Sequence, residues 1–204
     1  MIPFVLASAS PARLTTLQHA GVQPRVEVAD VDEPAVLAAA LADADGALPA
    51  AAQVLALARA KAGDVAARLG EPGTLVLGCD SMLEIAGGVV GKPHTPEVAI
   101  ARWKQMRGGA GTLHTGHWLI SGTRAVGGTS STVVHFADLS DAEIEAYVAT
   151  GEPLRVAGAF TVDGLGGPYV TAIEGDYHGV VGLSLPLLRE LLGQLGVAFH
   201  QLWS

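Results

Sequence analysis

Phe4-Val5-Leu6-Ala7-Ser8-Ala9-Ser10-Pro11-Ala12-Arg13-Leu14-Thr15-Thr16-Leu17, running on to Gly21, decides the fold class. A short apolar run ends in small residues, and a helix then opens with Ser10 as N-cap and Pro11 in its first turn. Leu14 and Leu17 repeat at helical spacing, and Gly21 is a natural stop. The stretch predicts a strand handing over to a helix N-terminus, where free N–H groups and the dipole favour an anion. Ser8 and Ser10 add hydroxyls, and Arg13 adds a guanidinium suited to bidentate phosphate contact. An ordinary capped helix with one surface arginine fits the same residues.

The second informative stretch is Thr74-Leu75-Val76-Leu77-Gly78, a short apolar run after Pro72-Gly73, as expected of a strand buried on both faces. It ends in Cys79-Asp80-Ser81, and a carboxylate at the C-terminal end of a buried strand is where α/β folds expose chemistry. A turn or cap aspartate is the plainer alternative. The chain then runs through Met82 to Ile85, turns at Gly87-Gly88 and returns to Lys92-Pro93, a hairpin predicted to bring Lys92 toward Asp80. Gly87 to Lys92 is one residue short of a Walker A loop, and Pro93 stands where that loop needs a hydroxyl. No GxGxxG opens a helix, which argues against a dinucleotide site.

Between these stretches, Pro24 to Val31 reads as a second strand, leading into Asp32-Glu33-Pro34 and a helix over 35–42. The two acidic residues suit a helix start and equally a metal or ligand site. A long Ala-rich helix follows from Pro49, with Lys61 set between alanines where a ligand could approach closely. Thr95 to Met106 is predicted helical. Leu113–Ser121 and Thr132–Phe136 read as strands joined by a flexible Gly122–Ser131 segment. Ser140 and Glu143 form a capping box, and Gly151-Glu152-Pro153 breaks the helix they open. Gly164–Pro168 is a glycine-rich turn, Tyr169–Ile173 a strand, and a last helix opens at Gly182–Pro186. With neither internal repeat nor long linker, residues 1–204 are expected to form a single unit with a cleft.

Half of the 204 residues are hydrophobic, enough for a sizeable core, and the formal charge of −8 argues against a broad nucleic-acid face. A few local cations can still make a positive cleft in an acidic protein. The lone cysteine, Cys79, reads as a small buried residue in a chain from a reducing compartment. Ser8 interrupts the N-terminal apolar run, and charges punctuate the Ala-rich helix, so neither a signal peptide nor a membrane span is expected. The expectation is a cytoplasmic protein. The seven histidines lack zinc spacing, and no GxSxG supports a serine hydrolase. What remains is Arg13, Lys61 and Lys92 with Glu33 and Asp80, a set suited to a phosphate ester or anhydride attacked by water with a divalent ion.

Taken in order, these stretches resemble the Maf family of nucleoside triphosphate pyrophosphatases, also described as septum formation inhibitors. The residues that carry the resemblance are Leu6–Arg13, Ala60-Lys61-Ala62, Gly78-Cys79-Asp80-Ser81 and Gly91-Lys92-Pro93. Thr115-Gly116, Tyr147 with Gly151-Glu152-Pro153, Ala157–Phe160 and Val181–Pro186 complete the series. The resemblance implies an elongated α/β fold of the inosine-triphosphate-pyrophosphatase type, with a mixed twisted sheet flanked by helices and two lobes around a central cleft. It implies a homodimer and hydrolysis of the α–β phosphoanhydride to nucleoside monophosphate and pyrophosphate, with Mg²⁺ or Mn²⁺. On matching positions, Asp80 is implied as general base and metal ligand, and Glu33 as its acidic partner at the metal. Ser8, Arg13, Lys61 and Lys92 are implied as the triphosphate clamp.

The departures fall elsewhere. The family's Ser-Pro-Arg-Arg is Ser10-Pro11-Ala12-Arg13 here, its threonine after the aspartate is Ser81, and a glutamine corresponds to Asp163. Ala12, Ser81 and Asp163 match positions linked to base selection, so the resemblance does not carry a pyrimidine preference over to this chain. A carboxylate at 163 accepts hydrogen bonds where glutamine both donates and accepts, which points to CTP or a guanine or modified nucleotide. A catalytically weak nucleotide-binding regulator of division is the rival from another class, and a phosphomonoesterase, releasing orthophosphate, a third.

Overall fold

In a computed structural model, which describes residues 2–44 and 46–203, one seven-stranded mixed sheet runs through the protein. Its spine is β3 (Leu75–Ile85), eleven residues long and mostly buried. Along one edge, β3 pairs in parallel with β1 (Phe4–Ala7) up to Gly78, and antiparallel with β4 (Gly88–Val90) from Leu83 onward. Along the other it pairs continuously with β5 (Ala110–Ser121), which forms a long hairpin with β6 (Arg124–Phe136). The short strands β2 (Arg25–Val26) and β7 (Val170–Glu174) close the two ends of the sheet.

Helices cover both faces. The even positions of β3 face α2 (Glu33–Asp43) and α3 (Ala50–Leu69), and two glycines explain how closely α3 lies on the strands. A Cβ on Gly78 would stand 2.1 Å from the Ala58 carbonyl oxygen, and one on Gly116 2.4 Å from that of Val54. Opposite Gly78 the helix presents Ala58 and Ala62, both fully buried. Small residues on both partners let the helix backbone rest on the sheet backbone.

The odd positions of β3 carry two separate cores. At its N-terminal half, Leu75, Leu77 and Cys79 pack against α1 (Pro11–His19) and α7 (Leu185–Gln194). At its C-terminal half, Leu83 and Ile85 pack against α4 (Pro96–Met106) and α5 (Asp141–Ala149), around Trp103. The indole meets Phe136, Tyr147 and Tyr169 edge-on at 5.6 to 5.9 Å and donates to the Ala159 carbonyl at 2.8 Å. The short α6 (Tyr177–Val181) leads into α7. β3 is the element that these two cores share.

Several elements differ from their sequence-based expectation. The strand predicted to stop at Gly78 continues through Asp80, which sits mid-strand and not at a strand end. The segment expected to be flexible, Gly122–Ser131, is almost all hairpin strand, leaving Gly122-Thr123 as the turn. Only Arg25–Val26 of the expected Pro24–Val31 strand pairs. Ser10 stands at the N-cap of α1, but its side chain makes no capping bond, and its N–H donates to Ser8 Oγ at 3.3 Å. Thr95 and Ser140 do cap α4 and α5, the latter with the full Ser140–Glu143 box.

Candidate active site

Between Gly78 and Leu83 one edge of β3 has lost β1 and not yet gained β4. The chain leaves β1 at Ala7 and turns into α1 just there, so the break opens a crevice beside the carboxyl end of a parallel strand, where open α/β sheets bind ligands. The crevice is a cleft of about 700 Å³, within the usual range for a small-molecule site. Ser8, Ala12, Arg13, Glu33, Lys61, Asp80, Ser81, Lys92 and Asp163 all line it. Residues separated by up to 155 positions in the chain are therefore brought to one cavity.

Asp80 points to the α3 side of the sheet, and α3 supplies its partner. Lys61 Nζ stands 2.6 Å from Asp80 Oδ1 and 2.7 Å from Glu33 Oε1, bridging two carboxylates from different elements. The close seating of α3 on Gly78 and Gly116 is what brings Lys61 within reach, since Gly116 is the β5 neighbour of Asp80. Partial burial works against ionisation of Glu33, yet the Lys61 ammonium, with Lys92 and Arg13 further off, holds it below the usual carboxylate range. Asp80 takes no side-chain hydrogen bond other than that from Lys61 among the described residues.

Ser81, one residue on, points to the opposite face, toward α1. There Arg13 is almost fully buried and spends four of its five N–H groups on the protein. Its Nε donates to the Gly182 carbonyl at 2.8 Å, Nη1 to Ser8 Oγ at 2.9 Å and to the Cys79 carbonyl at 3.0 Å, and Nη2 to Ser81 Oγ at 3.0 Å. The Cys79 carbonyl belongs to the unpaired stretch of β3, so the guanidinium replaces the missing neighbour strand. The Thr115 hydroxyl donates to the Gly179 carbonyl at 2.8 Å and so accepts from Ser81 at 2.9 Å. Ser81 is thereby fixed in a relay from Arg13 to the backbone at Gly179.

Two buried groups beneath the cleft are inert. Burial pushes the Cys79 thiol up to about 12, and burial beside Arg13 pushes His117 down to about 4. His117 donates from Nδ1 to the Thr115 carbonyl and accepts the Ser184 N–H on Nε2 at 2.9 Å, tying β5 to the start of α7. The structural role expected of the histidines holds here.

Lys92 follows β4 and lines the cleft as an exposed cation, on the same cavity as Asp80, as the hairpin predicted. Asp163 is exposed on the far wall, next to Thr161 and Val162. Three further polar residues line the cleft that the residue patterns did not single out as site residues, His94, Arg155 and Thr161. His94 holds a left-handed φ of 63°, unusual for a residue other than glycine, and its N–H donates to the Leu154 carbonyl at 3.1 Å.

No group of three or more His, Cys, Asp or Glu among the described residues is placed to cage a metal. Asp80 and Glu33 nevertheless suit a hard divalent ion that takes one or two carboxylates and fills its other positions with water and phosphate oxygens. Lys61 already seats a positive charge between them, so the donor set fits such an ion.

A profile of the Maf-like protein family matches residues 3–195. The chain belongs to this family. A protein from Streptomyces coelicolor is 53% identical over 203 residues, covering 98% of this chain and 94% of its own length. One from Rhodococcus jostii is 54% identical over 212 residues, covering 100% and 97%, and one from Leifsonia xyli is 52% identical over 206 residues, covering 98% and 95%. All three carry the name nucleoside triphosphate pyrophosphatase.

Proposed function

We propose that this protein hydrolyses the α–β phosphoanhydride of a nucleoside triphosphate, releasing a nucleoside monophosphate and pyrophosphate. The observation that carries this is the Asp80–Lys61–Glu33 cluster on a cleft that also holds Arg13 and Lys92. The names of the relatives support the same chemistry over a regulator without catalysis. A polyanion repels nucleophiles until its charge is met, and fixed cations meet it without reorganising at the transition state.

Lys61 and Lys92 bind the phosphate chain, with Ser8 donating beside them. Arg13 keeps one N–H for the ligand and otherwise holds Ser8 and the β3 edge in place. Asp80 accepts the proton of the attacking water on the oxygen that Lys61 leaves unengaged. The water oxygen bonds to phosphorus, the bond to the α–β bridging oxygen breaks, and pyrophosphate departs with that electron pair. Asp80 and Glu33 would hold a Mg²⁺ or Mn²⁺ ion, which would supply further charge neutralisation. Ala12, Ser81 and Asp163 fall on the base-selecting positions, and Asp163, an acceptor only, favours a base that presents amino or imino donors.

The same proposal takes residues 1–204 as one unit, supported by the continuous sheet, and as a cytoplasmic homodimer acting on free nucleotides. Its charge of −8 disfavours nucleic acid as partner, and no helix among the described residues is long and apolar enough to cross a membrane. A pyrophosphate-release assay over canonical and modified nucleotides, with and without Mg²⁺, is the test. Release of orthophosphate instead, or turnover of no triphosphate, would contradict the proposal.

A further inference from the structure

Glu152 is a carboxylate that the chemistry above does not use, and it collects four donors. Its Oε1 accepts from the Tyr147 hydroxyl at 2.9 Å, from the Thr161 hydroxyl and from the Gly166 N–H at 3.1 Å, while Oε2 accepts from the Leu165 N–H at 3.0 Å. The Tyr147 hydroxyl in turn accepts the Thr161 N–H at 3.2 Å. Every donor other than Tyr147 belongs to the turn 161–166, whose first three residues, Thr161, Val162 and Asp163, form a wall of the cleft. The glycines of the turn are shaped around the same carboxylate. A Cβ on Gly164 would lie 2.6 Å from Glu152 Oε2, and one on Gly166 2.5 Å from the Tyr147 hydroxyl.

The glycine-rich turn therefore wraps a protein anion and not a phosphate, and the anion stands at a fixed point. Glu152 follows Gly151, which takes a left-handed φ of 76° at the end of α5, and Tyr147 is buried in the Trp103 core. The Trp103 core thus connects through Tyr147 and Glu152 to the segment that carries Asp163. We infer that Glu152 is a positioning residue for base recognition, pinning the 161–166 turn so that Asp163 meets the nucleobase at a fixed place. The inference rests on the proposed pyrophosphatase activity and adds to it a residue that touches neither substrate nor metal. Partial burial opposes the charge on Glu152, but the four hydrogen bonds outweigh it and hold the group below the usual glutamate range, so the pin is ionised at neutral pH.

The test compares wild type, Glu152→Gln, Asp163→Ala, the double variant and Gly164→Ala, each with a panel of nucleoside triphosphates. Glu152→Gln is expected to raise KM for the best nucleotide about 5- to 10-fold while kcat stays within about twofold, shrinking the preference over the next nucleotide by a similar factor. Asp163→Ala is expected to shrink it equally, and the double variant no further, because both act on one contact. Gly164→Ala leaves Glu152 itself intact, crowds the turn off the carboxylate and is expected to reproduce the selectivity loss. Amide exchange at Leu165 and Gly166 is expected to quicken in Glu152→Gln, with the core amides unchanged. Unchanged preference, a rate loss common to all nucleotides, or additive losses in the double variant would overturn the inference. A wild type that cleaves no triphosphate overturns the proposed function and the selectivity role with it, and the exchange rates still decide whether Glu152 holds the turn.

Discussion

Asp80 lines the cleft and Glu152 stands behind one of its walls, and the two carboxylates are treated in opposite ways. Glu152 is saturated, with four donors converging on its two oxygens. Asp80 has a single side-chain partner among the described residues, and that partner is a lysine on a flexible stem shared with Glu33. Four donors on one carboxylate stabilise its charged form and are themselves fixed in place by it. One left open on an oxygen, beside a movable cation, can accept a proton and release it. The difference comes from the neighbours: the Leu165 and Gly166 N–H groups and two hydroxyls fold around Glu152, whereas the β3 edge beside Asp80 has no strand to pair with.

If that contrast is right, Asp80→Asn removes the base and leaves the fold. Pyrophosphate release is expected to fall by about 10²- to 10⁴-fold, the usual worth of a general base, with the melting temperature nearly unchanged. Gly78→Ala should strike both properties, because α3 must lift off a Cβ only 2.1 Å from Ala58 O and carry Lys61 away from Asp80. The expected cost is about 1–3 kcal/mol of stability by urea titration, together with most of the activity. Glu152→Ala is the mirror image of the first variant. Its stranded donors should cost about 1–3 kcal/mol of stability while kcat is largely kept. The mildest test is acid. The folded value of Glu152 lies below its usual 4.5, so its stabilisation is complete above that pH and drains as pH falls toward the folded value. Glu152→Gln should therefore flatten the acid limb of the melting curve below pH 4.5. His117 slopes the curve in the same direction over pH 6.5 to about 4 in both proteins, because its neutral folded form must be protonated on unfolding, so their difference isolates Glu152.

The sequence was readable where local chemistry alone sets structure. Thr95, Ser140 and Glu143 cap helices at the expected places, and Gly21 follows the end of α1 with a left-handed φ. It was least readable where a distant partner sets structure. Cys79-Asp80-Ser81 looks like the end of a strand because polar residues close an apolar run, but they continue it with β5 pairing throughout, the side chains of Asp80 and Ser81 lining a cleft. Gly127-Gly128 looks like a flexible linker, yet a Cβ on Gly127 would lie 2.2 Å from the ring of Trp118 across the hairpin. All nine candidate site residues were nameable through the resemblance to a family, and all line the cleft. What they could not disclose is how Arg13 is spent, because its acceptors are carbonyls and hydroxyls contributed by positions 8, 79, 81 and 182.

The most direct measurement follows the products by ³¹P NMR as wild type and Asp80→Asn act on the preferred triphosphate with Mg²⁺. Wild type should yield nucleoside monophosphate and pyrophosphate in equal amounts, with the variant still folded and nearly silent. Orthophosphate as the first product, or a variant as fast as wild type, would contradict the assignment of Asp80 and of the bond it cuts.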